Sequence, residues 1–84
     1  MKRSTARLSK ITDIDLRAIG KRIRELRGFY TSQTEFADRI AVTQGYLSAL
    51  EHGLKEPCAT VLLAISRESG KSVDWLLTGE SRKG

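Results

Sequence analysis

The sequence predicts an all-α domain of five helices, and three observations predict it. From Asp13 onward, apolar residues recur at steps of three and four. Helix caps and glycines stand between those runs. No stretch alternates apolar and polar residues between turn signals, so no strand is expected.

Leu16, Ile19, Ile23 and Leu26 form one stripe and define helix 1, about 13–27. Asp13 and Asp15 at its start, and Arg24 and Arg27 near its end, suit the helix dipole. Gly28 ends it. Ser32-Gln33-Thr34-Glu35 is a capping box, which opens helix 2, about 33–40, with Phe36, Ala37 and Ile40 inward. Thr43 is the N-cap of helix 3, 44–51, whose inward pair is Leu47 and Leu50. Gly53 stops it, and a loop runs to Pro57, the only proline. Val61, Leu62 and Ile65 face inward from helix 4, about 59–68, which ends before Gly70. Ser72 caps a last short helix, 73–77, closed by Gly79.

Eighty-four residues allow one domain with a thin core, for which a partner chain would be useful. Leu, Ile, Val and Phe make up a quarter of the chain, enough to fold. One cysteine, Cys58, cannot form an internal disulfide. Cys58 and the single histidine, His52, cannot supply the four ligands of a structural zinc site. Neither is surrounded by an acid–base or nucleophile set, so no catalytic residue, metal or cofactor is expected. No apolar run is long enough to span a membrane. The basic N-terminus lacks the hydrophobic stretch of a secretory signal, and a cytoplasmic location is expected.

The formal charge is +5, which suggests an anionic partner. Its placement matters more than its size. Lys2, Arg3, Arg7 and Lys10 lie in the first ten residues, and Arg82 and Lys83 close the chain. Residues 11–80 carry nine basic and ten acidic residues, a net of −1. The expected layout is a basic arm over 1–12, a folded domain over 13–79 and a basic tail over 80–84. The arm is either a solubilising tail or a strand laid along phosphates.

The stretch 32–53, SQTEFADRIAVTQGYLSALEHG, carries the functional signal. Two helices joined by only three residues, 41–43, must cross steeply. Such a crossing needs a small residue at the contact, met by Ala37. It also needs apolar residues on both sides of the turn, met by Phe36, Ile40, Val42, Leu47 and Leu50. These are the demands of a helix-turn-helix, here over 33–52. At 100° per residue, Gly45, Ser48, Ala49 and His52 point away from the buried side of helix 3. Gln44 and Tyr46 flank them. Gln44 stands at the end of the helix that enters a groove first, and a glutamine can bond adenine through N6 and N7 together. Gly45 permits close approach of backbone, and Ala49 offers a methyl to thymine. The backbone N–H of Gln33 lies at a helix N-terminus, where phosphate is favoured. Glu51 sits where the helix dipole disfavours an acid, so a compensating partner is required.

Several motifs together resemble the lambdoid phage repressor/Cro, or XRE, family of helix-turn-helix regulators. They are Ile19-Gly20-Lys21-Arg22-Ile23-Arg24, Gln33 with Ala37, Gly45-Tyr46-Leu47-Ser48, Glu51-His52-Gly53, Pro57 and Asp74-Trp75-Leu76-Leu77-Thr78-Gly79. The resemblance implies a lambda-repressor-like five-helix domain that places helix 3 in the major groove of duplex DNA. It implies base contacts from Gln44, Gly45, Ser48 and Ala49, and DNA-backbone contacts from Gln33, Thr43, Tyr46 and Lys55. It further implies that Gln33 braces Gln44 and that Arg27 pairs with Glu51. Tyr46 could alternatively pack on helix 2. The last helix holds Val73, Trp75, Leu76 and Leu77. Its apolar residues are expected to divide between the core and a twofold dimer contact through Trp75, Leu76 and Leu77. A homodimer reading a palindromic operator, most simply as a repressor of bacterial or phage origin at the nucleoid, follows. The alternative is an antitoxin-type module whose main partner is a protein, such as a toxin or antirepressor. Two positions depart from the family pattern. Ala41 replaces the usual turn glycine, which is expected to alter the turn. Cys58 replaces a Ser or Thr cap and is expected to be a small half-buried residue.

Overall fold

The computed structural model describes residues 14–80. The expected arm over 1–12, Asp13 and residues 81–84 of the expected tail lie outside them. Five helices follow one another, α1 (Leu16–Arg27), α2 (Gln33–Arg39), α3 (Gln44–Glu51), α4 (Ala59–Ser69) and α5 (Val73–Thr78), and no strand occurs among the described residues.

Local chemistry sets the boundaries. Asp15 is the N-cap of α1 and accepts from the backbone N–H groups of Arg17 and Ala18. The helix therefore begins at Leu16, later than the expected 13, because the cap residue itself is extended. The Ser32–Glu35 capping box forms in both directions, each bond 3.1 Å. Thr43 caps α3 through Tyr46 N–H at 3.1 Å, and Ser72 caps α5 through Trp75 N–H at 3.0 Å. Cys58 makes no side-chain cap to α4 and is exposed, not half-buried as expected.

The turn between α2 and α3 keeps its left-handed residue. Ala41 sits at φ 62°, so alanine accepts the strained conformation and the turn is not reshaped to avoid it. Ala37 C=O receives the Val42 N–H at 2.9 Å, and the crossing is closed by backbone bonding.

One core joins all five helices. Ile19 and Ile23 of α1, Phe36 and Ala37 of α2, Leu47 and Leu50 of α3, Val61, Leu62 and Ile65 of α4 and Leu76 of α5 are buried together with Ile40. Leu16 and Leu26 lie at its edge. Gly20 lets α1 press onto the end of α3. A Cβ there would stand 2.5 Å from both the Leu50 and Glu51 carbonyl oxygens. Arg22 ties α1 to α5 through Nη1–H donated to Leu76 C=O at 2.9 Å.

Candidate nucleic-acid interface

The crossing of α2 and α3 brings their N-terminal glutamines together. Gln44 Nε2 donates to Gln33 Oε1 at 2.6 Å. Gln33 Nε2 in turn donates to Glu51 Oε1 at 2.9 Å. From the other side, Arg27 grips the same carboxylate with Nε on Oε2 at 2.7 Å and Nη2 on Oε1 at 2.9 Å. Its remaining Nη1 donates to Thr31 C=O at 2.9 Å, pinning the loop before α2. Thus four of the sequence-selected residues form one continuous polar chain from α1 to the start of α3.

Burial explains why the chain is tight. The Glu51 side chain is 3 % exposed, and an unpaired carboxylate there would be costly. Burial pushes its pKa upward. Hydrogen bonds from Arg27 and Gln33, with the charges of Arg27 and Arg24, outweigh that and hold it below the usual carboxylate range. The Glu51 hydrogen bond holds Arg27 more firmly protonated. The dipole problem at the end of α3 is solved by a bidentate cation.

Gln44 and Gly45 are exposed, whereas Ser48 and Ala49 are half-buried on the same helix. Nothing lies within 4 Å of a Cβ placed on Gly45, so open space faces this position. The Ser48 carbonyl accepts from His52 Nδ1 at 2.8 Å. Thr43 spends its hydroxyl oxygen on the helix cap. Tyr46 is half-buried and packs against the core, and Lys55 is exposed in the loop after α3. Tyr46 and Lys55 take no part in the glutamine chain.

In α5, Leu76 is 0 % exposed and belongs wholly to the core. It has no surface for a dimer contact, which corrects that expectation. Trp75 and Leu77 are half-buried at its edge, and the Lys71 ammonium lies 4.9 Å from the Trp75 ring centroid. The sequence reading assigned nothing to Phe29 and Tyr30, which project fully from the loop between α1 and α2. No cluster of three or more metal-ligating side chains occurs among the described residues. No helix among them is long and apolar enough to cross a membrane.

The sequence model of the helix-turn-helix family matches residues 21–76, two thirds of the chain. The chain belongs to the XRE family of helix-turn-helix regulators. A curated relative, the propionyl-CoA carboxylase regulator of Cereibacter sphaeroides, is 35 % identical over 65 residues. That match covers 76 % of this chain but 14 % of the relative's length. Among solved structures, the clp gene regulator ClgR of Corynebacterium glutamicum is similar, with a TM-score of 0.64 at 33 % identity. It covers 71 % of this chain and 65 % of its own. The XRE-family match spans α2 and α3 and, with them, the whole glutamine chain. It makes the domain a non-enzymatic DNA-binding module with a lambda-repressor-like fold.

Proposed function

We propose that this XRE-family protein is a sequence-specific regulator that binds a palindromic operator as a homodimer and acts as a repressor. The observation that carries this reading is Gln44, exposed at the leading end of α3 and braced from α2 by Gln33. A preorganised polar group at that point suits a recognition helix, because phosphate contacts position the protein and hydrogen bonds to base edges supply specificity. Gly45, Ser48 and Ala49 continue that face along α3. Gln33, Thr43, Tyr46 and Lys55 contact the sugar–phosphate backbone. The basic surplus at the two ends of the sequence supplies non-specific attraction, because residues 11–80 sum to −1.

Twofold pairing uses Trp75 and Leu77 at the edge of α5, which would place two α3 helices about one helical turn of DNA apart. Bound in this way across a promoter, the protein would block transcription from cytoplasmic DNA.

Selection from random-sequence duplexes, repeated at two salt concentrations, tests the reading. Enrichment of a symmetric site with half-sites about 10 bp apart is expected, with affinity falling as salt rises. No enriched sequence at either salt would overturn it.

A further inference from the structure

We propose that the buried Glu51 sets the base preference of Gln44 through Gln33, selecting adenine over guanine at one operator position. This rests on the reading of Gln44 as a base contact.

The reasoning is a matter of hydrogen-bond polarity. A carboxylate accepts and cannot donate. Glu51 is buried, is fixed by Arg27 and faces the Gln33 amide. Only the NH₂ group of Gln33 can satisfy it, so Gln33 Oε1 must point the other way. That oxygen lies 2.6 Å from the Gln44 amide and demands a donor. Gln44 must then turn Nε2 inward and spend one N–H on Gln33. Its outward edge is left with one oxygen and one N–H. That acceptor–donor pair complements N6 and N7 of adenine.

The opposite polarity would read a different base. With Gln33 reversed, its NH₂ group would face Gln44 and call for Gln44 Oε1. Both N–H groups of Gln44 would then point outward. A donor-only edge suits the paired acceptors O6 and N7 of guanine. An amide is nearly symmetric in shape, so nothing local to Gln44 chooses between the two states. The fixed charge at the far end of the chain chooses. Glu51 is therefore a positioning residue for recognition as well as a structural partner of Arg27.

The test measures binding to the selected operator and to the same duplex with A·T changed to G·C at the pair that Gln44→Ala identifies. For the wild-type protein, adenine should be preferred by roughly 5–150-fold, the range of a good bidentate pair. Glu51→Gln allows the Gln33 amide to reverse, and the preference at this pair should fall at least about fivefold, with preferences elsewhere in the site unchanged. Gln33→Lys leaves Arg27 and Glu51 in place and presents only donors to Gln44, so the preference should invert toward guanine. Gln33→Lys carries the test even if Glu51→Gln does not fold. A uniform loss of affinity with the A/G ratio intact in folded variants would overturn the relay. If Gln44→Ala itself changes no base preference, the underlying reading of Gln44 fails instead.

Discussion

Arg27 and Glu51, 24 residues apart in sequence, meet in a two-bonded ion pair of 2.7 and 2.9 Å that locks the end of α1 to the end of α3. The carboxylate is almost fully enclosed, and Gln33 supplies a third hydrogen bond. A charge so enclosed depends on its partners. Arg27→Ala should therefore destabilise the domain by about 3–5 kcal/mol. Urea denaturation of the two proteins measures it, and a loss below about 1 kcal/mol would show the pair to be a surface-like contact.

The same pair predicts a pH dependence. The folded-state pKa of Glu51 lies below its ordinary value. The unfolded chain then binds the proton more readily than the folded one in mild acid. The stabilisation is fully present above the ordinary carboxylate pKa of about 4.3 and is lost as pH falls through the lower folded value. Denaturation midpoints followed from neutral to acid pH should fall less steeply for Glu51→Gln than for the wild-type protein. Parallel curves would count against it.

Gly20 should tolerate no side chain. A methyl group there meets two backbone oxygens at 2.5 Å, and backbone in a helix cannot step aside cheaply. Gly20→Ala should cost at least about 1–3 kcal/mol despite the better helix propensity of alanine. A thermal melt distinguishes the outcomes, since propensity alone would raise the midpoint.

Ala41 points the other way. Its φ of 62° strains any residue with a Cβ, and the position is exposed. Ala41→Gly should relieve that strain while adding freedom to the unfolded chain, for a net gain of up to about 1 kcal/mol. Equilibrium unfolding should show a higher midpoint at unchanged denaturant slope.

Neighbours in α5 should separate cleanly. Leu76→Ala opens a cavity in the core and should cost about 2–5 kcal/mol. Trp75→Ala and Leu77→Ala should affect stability less and weaken self-association, as read by sedimentation equilibrium. Unchanged association in both would remove this helix from the proposed dimer contact.

The sequence by itself determined the five helices, their order and most of their ends. Those features depend on partners within about four residues. The Ser32–Glu35 box, the Thr43 and Ser72 caps and the apolar spacing of α1 and α4 are all of this kind. It also pointed to Gln44, Gln33, Arg27 and Glu51, the last because an acid at a helix C-terminus needs compensation. The family resemblance implied the Gln33–Gln44 and Arg27–Glu51 pairings, and only the tertiary structure supplied the Gln33–Glu51 bond that joins them into one chain. Gln33 meets Gln44 across 11 residues and Glu51 across 18, and such meetings depend on where α1, α2 and α3 cross. The crossing of α1 and α3 gives Gly20 its close contact, and the packing of α5 on α1 and α4 closes Leu76 into the core. Periodicity places a residue on a face of its helix. What that face meets is settled by chain crossings over long sequence separations, through packing and burial that no local pattern records.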